Sequence, residues 1–80
     1  MVQIIKKYIE ENFLVKFDKK TLTVNSDLFE ADVIDSFGMV EMISFLEKEF
    51  KVHFNDEDLM SPKLASIEGI VSLINSKNNL

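Results

Sequence analysis

The chain has no cysteine among its 80 residues. That excludes disulfide staples, thiolate metal sites and a nucleophilic thiol of its own. With two glycines, there is no glycine-rich loop to cradle a phosphate. A single histidine, His53, leaves no paired imidazoles and no His-rich metal cluster. There is no long apolar run. The opening "MVQIIKKYIEENF" is charged and amphipathic, and reads neither as a signal peptide nor as a membrane span. A cytoplasmic protein is expected. Basic residues number nine and are scattered, apart from the pairs Lys6-Lys7 and Lys19-Lys20. No basic cluster is available to bind nucleic-acid phosphates.

What is present is a globular composition, 46% hydrophobic and 29% charged, too apolar for a disordered tail. The length fits one small domain, residues 1–80. Most of its large apolar side chains must go into one core, leaving few for an elaborate catalytic pocket. The formal net charge of −5 points to basic patches on other proteins as natural partners, approached with electrostatic steering.

Apolar spacing divides the chain. Ile5, Ile9 and Phe13 repeat every four residues with Val2 and Tyr8 beside them, which predicts an amphipathic helix from about Val2 to Phe13. From Leu14 to Asp35 the period is lost, a connection longer than structureless loops usually are. Leu22, Val24, Leu28, Phe29 and Val33 are expected to pin it to the core. From Ser36 to Phe50 the helical pattern returns, with Met39, Ile43, Leu46 and Phe50 as its inward stripe and Met42 nearby. Lys51 to Phe54 is a short link. Asn55 to Met60 predicts a brief helical turn, capped by Asn55 with acids in its first turn. Pro62 interrupts it. A last helix is predicted from about Ser66, its cap, to Asn75, with Ile67, Ile70, Val71 and Ile74 inward and a frayed "NSKNNL" tail. No segment alternates clearly enough to be a strand.

At about 100° per residue, that stripe turns Phe37, Glu41, Ser44 and Lys48 outward and leaves Val40 and Glu47 on the flank. Two exposed apolar residues, Phe37 and Val40, within a turn of Ser36 and flanked by Asp35, Glu41 and Glu47, have the character of a docking patch. Ser36 itself has two readings. Serine is among the commonest helix N-caps, and Asp35 before it suits the helix dipole. A helix N-terminus also favours an attached phosphate. Catalysis by Ser36 needs an oriented base and an oxyanion hole. His53 lies beyond the other end of the helix, at least about 20 Å away along its axis. A functional Ser36 is therefore expected to be modified by another enzyme.

"DLFEADVIDSFGMVEMISFLEKEF", Asp27 to Phe50, closely resembles the acyl carrier proteins and their relatives, the peptidyl and D-alanyl carrier proteins. The family's Asp-Ser-Leu or close variant, then a helix with a Val-Glu pair and an aromatic end, stands here as Asp35-Ser36-Phe37, Val40-Glu41 and Glu47 to Phe50. The resemblance covers nearly the whole chain, since "DEDL" before "ASIEGIVSLI" fits the family's last two helices. It implies an all-α, acyl-carrier-protein-like bundle of three main helices plus one short helix. It implies a 4′-phosphopantetheine arm, transferred from coenzyme A to Ser36 by a magnesium-dependent carrier-protein synthase, with Asp35 helping to present the site. The arm's thiol would hold acyl or aminoacyl groups as thioesters, so a chain without cysteine acquires its only thiol from the cofactor.

The same resemblance makes the helix from Ser36 to Phe50 the surface that enzymes recognise, through Asp35, Phe37, Val40, Glu41 and Glu47. The partners implied are the synthase, an acyl- or aminoacyl-loading ligase or transferase, and downstream synthases of fatty-acid, polyketide or specialised biosynthesis. A sequestered acyl chain would lie among Phe29, Ile43, Leu46, Leu59, Ile67 and Val71. Fatty-acid carriers commonly have an acid at the position of Gly38 and a strongly acidic recognition helix. Here Gly38 is neutral and Lys48 is basic. "VIDSFG" is more similar to D-alanyl or specialised carriers, which implies a freestanding, monomeric carrier served by a dedicated ligase or synthase.

Three other classes bear comparison. A calcium loop starting at Asp18 places Lys20 and Leu22 at ligand positions, and one starting at Asp27 places Phe29 and Ala31 there, so neither matches. An independent enzyme lacks a triad and a metal cluster. A helical interaction module without a cofactor, binding partners through Phe37 and Val40, is the alternative reading.

Overall fold

The computed structural model describes residues 1–17 and 22–78. Their regular structure is all helical, as expected: α1 (Val2–Phe13), α2 (Ser36–Phe50), α3 (Asp56–Leu59), a 3₁₀ turn (Pro62–Ala65) and α4 (Ile67–Asn78). Asp18, Lys19 and Lys20, on which one calcium-loop register and one basic pair fall, lie outside the described residues, as do Asn79 and Leu80.

In α1, Ile5 and Ile9, one turn apart, are wholly buried, while Lys7, Glu11 and Asn12 face solvent. The buried stripe of α2 is Met39, Met42 and Leu46; Ile43 and Phe50, expected inward, are only half-buried. The contact with α1 accounts for this rotation. Tyr8 stacks on Phe45 with ring centroids 4.1 Å apart and planes 15° from parallel, which draws the Met42–Phe45 side of α2 onto α1. From α4, Ile67, Ile70 and Ile74 close the core completely.

The connection before α2 is tied down by its own backbone. Leu28 N–H donates to Ala65 O at 2.7 Å and Glu68 N–H to Val24 O at 2.9 Å. Leu22 and Leu28 are buried, and Val24 and Val33 half-buried. Phe29 is a correction: it is 42% exposed, and Ile34 is buried in its place. Asp27 Oδ1 accepts from both Phe29 and Glu30 N–H, winding a tight turn that points Leu28 in and Phe29 out.

Pro62 opens the 3₁₀ turn rather than merely stopping a helix. Asn55 and Asp58 form a reciprocal capping box around α3. Leu59, expected to line an acyl site, is 45% exposed. Ser66 Oγ accepts from Gly69 N–H at 3.1 Å, and α4 then runs to Asn78, three residues beyond its expected end. Lys77 holds that last turn. It pairs with Asp58 and lies 5.6 Å from the centre of the Phe54 ring.

The Lys77 ammonium, then the Asn55 backbone N–H, hold the Asp58 carboxyl below its ordinary pKa. A group with a depressed folded pKa stabilises the fold above its unfolded value, about 3.9 for Asp, and loses that contribution as pH falls through the folded value. Thermal unfolding of wild type and Lys77→Met should therefore differ at about pH 7. The gap should close below about pH 4 as Asp58 is protonated. A gap that persists in acid would mean Lys77 acts through Phe54 alone.

Candidate functional site at the start of α2

Asp35 is extended, with φ −113° and ψ −175°, and its Oδ1 accepts from Gly38 N–H at 2.8 Å. Its carbonyl accepts from Met39 N–H at 2.9 Å. Asp35 is thus the N-cap, and Ser36, equally eligible by residue type, is the first helical residue. Ser36 is exposed, and its Oγ has no hydrogen-bond partner among the described residues. The N–H groups of Ser36 and Phe37 are likewise unpartnered there. Together with the helix dipole they make a favourable place for a phosphate.

Phe37 is 81% exposed and Val40 66%. With Ser36 and Glu41 they line an open groove. A larger hollow of about 440 Å³ shares Phe37 and Glu41 with that groove and is completed by Phe13, Asp32, Val33, Ile34, Asp35 and Gly38. The structure therefore gathers Asp35, Phe37, Val40 and Glu41 within two turns around Ser36. Glu47 stands apart, about 16 Å further along the helix. Its Oε2 accepts from Phe54 N–H at 3.0 Å and lies 3.5 Å from His53 Nδ1, so it braces the link after α2. His53 is exposed at that far end, out of reach of Ser36.

Gly38 is buried, and a Cβ there would come within 2.7 Å of the Phe13 ring and 3.0 Å of Ile34. Glycine at this position lets the end of α1 pack across the first turn of α2. Electrostatics link the same two helices: burial, then the Glu41 carboxylate, push the Tyr8 phenol above its ordinary pKa, so it stays protonated at neutral pH. Phe13, Asp32 and Ile34 were not anticipated at the site. The available signal was small: one aromatic at the end of α1 and one glycine in the first turn of α2.

Among the described residues no group of three His, Cys, Asp or Glu side chains is arranged to hold a metal ion, and no helix is long and apolar enough to cross a membrane.

The family model described as "Phosphopantetheine attachment site" matches residues 3–74. The acyl carrier protein of Buchnera aphidicola subsp. Schizaphis graminum is 32% identical over 74 residues, 92% of this chain and 89% of that protein. An acyl carrier protein homolog of Mycoplasmopsis pulmonis is 37% identical over 65 residues, 81% of this chain and 85% of that protein. No solved structure gives a significant match. With the family model spanning all but the two ends and acyl carrier proteins aligning along most of its length, this chain belongs to the acyl carrier protein family, whose members carry a covalently attached 4′-phosphopantetheine.

Proposed function

We propose that Ser36 is the attachment residue and that the chain, as a single freestanding domain, carries acyl or aminoacyl groups between partner enzymes. The observation that carries this reading is the division of labour at the helix start. Asp35 supplies the cap, and Ser36 Oγ is left exposed and unbonded. The surroundings fit a phosphodiester, since the Ser36 and Phe37 N–H groups and the dipole face it. In the attachment step Ser36 Oγ forms the new P–O bond. The pyrophosphate bond of coenzyme A breaks, adenosine bisphosphate leaves, and the hydroxyl proton passes to the synthase. When bound, the cofactor supplies a thiol that can hold an acyl group as a thioester, chemistry this cysteine-free chain lacks.

Phe37 and Val40 offer partners an apolar foothold beside Ser36, and Asp35 and Glu41 attract basic patches around it. Glu47 extends the acidic surface while bracing the Val52–Phe54 link. A synthase, a loading ligase or transferase and downstream synthases all use this one face in turn, which suits a cytoplasmic monomer. Gly38 and Lys48 weaken the acidic stripe of a fatty-acid carrier and favour a dedicated ligase.

Incubation with coenzyme A, magnesium and a broad-specificity carrier-protein synthase should add one phosphopantetheine by intact mass. No gain in folded protein would leave the cofactor-free interaction module. Once modified, the carrier should be charged by an adenylating ligase. Charging by a malonyltransferase alone would place it in fatty-acid synthesis instead.

A further inference from the structure

We propose that the hollow walled by Phe13, Ile34, Phe37, Asp32, Asp35 and Glu41 is a cradle in which the pantetheine part of the arm rests between partner visits; this rests on Ser36 being the attachment residue. Asp35 and Phe37, the chain neighbours of Ser36, both line the hollow. Ser36 itself lines the adjoining groove, which shares Phe37 and Glu41 with the hollow, so a group joined to Ser36 Oγ starts in that groove and reaches the hollow past Phe37 and Glu41. At about 440 Å³ the hollow falls within the range of about 300–1,000 Å³ typical of small-molecule sites.

Tethering decides whether so open a site can be filled. A short flexible tether gives an effective concentration in the millimolar range. An intrinsic affinity of the same order is then enough for about half occupancy.

The chemistry of the walls sorts the arm into two parts. Pantetheine is neutral, with two amide N–H groups, a hydroxyl and a geminal dimethyl group. Asp32, Asp35 and Glu41 present carboxylates, acceptors that bind N–H and O–H donors more strongly than neutral oxygens do. Asp35 Oδ1 already accepts from Gly38 N–H, leaving Oδ2 for the arm. Phe13, Phe37 and Ile34 offer apolar surface to the dimethyl group. The phosphodiester is repelled by the same three acids and stays at the Ser36 and Phe37 N–H groups. Leu46, Ile67 and Ile70 are not among the residues that line the cradle, which meets the core through Ile34 and Phe13. Because Phe37 lines both the hollow and the Ser36–Val40 groove, a partner that covers Phe37 removes one wall of the cradle and frees the arm.

The test is isotope-filtered NMR on labelled protein carrying an unlabelled arm, with attachment checked by intact mass on the same sample. Cross-relaxation is expected between the Phe13 ring protons and the arm's geminal methyl protons. It should weaken by about half or more in Asp32→Asn modified to completion, since a hydrogen bond to a charged acceptor is roughly twice as strong as one to a neutral acceptor and occupancy falls exponentially with the strength lost. Asp32 is exposed with φ 59°, a conformation that asparagine tolerates, so the fold is kept. A modified protein whose arm contacts only Ser36 and its chain neighbours, or contacts Leu46 and Ile67 instead, overturns the cradle and leaves the carrier reading standing. No mass gain overturns the attachment itself, and the cradle with it.

Discussion

Replacing Ser36 with alanine is expected to abolish phosphopantetheine attachment completely while leaving stability almost unchanged. The chemical half follows from the missing Oγ. The thermodynamic half follows from the cap. If Ser36 were the N-cap, alanine there would cost about 1 kcal/mol. The cap is Asp35, whose Oδ1 takes the Gly38 N–H, and alanine in the first helical turn is well tolerated. Asp35→Ala should instead lose the capping bond, about 1 kcal/mol, or roughly 4–8 °C in a domain of this size. Asp35→Asn keeps an acceptor at the cap, so its stability should stay near wild type. Any fall in its modification rate then reports on the carboxylate charge that the synthase meets. Intact mass and thermal unfolding of these variants separate the two roles. A Ser36→Ala protein that melts as early as Asp35→Ala would return the cap to Ser36. One that still gains the arm would move the attachment elsewhere.

That contrast also marks how far the sequence could be read. Aspartate and serine are comparable N-caps, so "DS" at a helix start could not say which capped and which was free. Periodicity placed α1 and α2 at their observed bounds, because Ile5 and Ile9 on one, and Met39 and Leu46 on the other, are truly buried. It could not show how the helices end. Leu14 and Lys51 adopt left-handed conformations, with φ 55° and 54°, where a glycine would have been the visible marker. Nor could it set the rotation of α2. Met42 and Ile43 are equally apolar, and the Tyr8–Phe45 stack, a contact between helices, chooses between them. In the connection, Phe29 is the more hydrophobic-looking anchor. The local turn made by the Asp27 carboxylate overrides it and leaves Ile34 to fill the core. Phe37 was legible as an outward residue and Val40 as a partly exposed one on the flank, because exposure on a helix follows its own period. The hollow was not, because Phe13 and Gly38 meet only through tertiary packing.

The other glycine carries the largest stability effect. A Cβ on Gly69 would run into the Lys63 carbonyl oxygen and fall 2.8 Å from its carbonyl carbon and Cα. These are backbone atoms of the 3₁₀ turn and cannot swing aside as a side chain can. Gly69→Ala must therefore push the start of α4 away from Pro62–Ala65. Ile67 and Ile70, both wholly buried, move with it. The strain strains two further ties, Glu68 N–H to Val24 O and Leu28 N–H to Ala65 O, which fasten the connection leading to Asp35. Overpacking of this kind costs up to about 3 kcal/mol. Alanine returns at most about 1 kcal/mol of helix propensity over glycine. The net loss should be about 2 kcal/mol, roughly 10 °C in melting temperature. Gly38→Ala is the control. Its Cβ would meet the edge of the Phe13 ring at 2.7 Å and Ile34 at 3.0 Å, side chains that can give way, so a loss under about 1 kcal/mol is expected. Urea unfolding of both variants measures the difference, with an unchanged m-value indicating that only stability has moved. If Gly69→Ala proves as stable as wild type, α4 is not seated against the 3₁₀ turn as closely as this. The hydrogen bonds that hold the approach to Ser36 would then have to be anchored some other way.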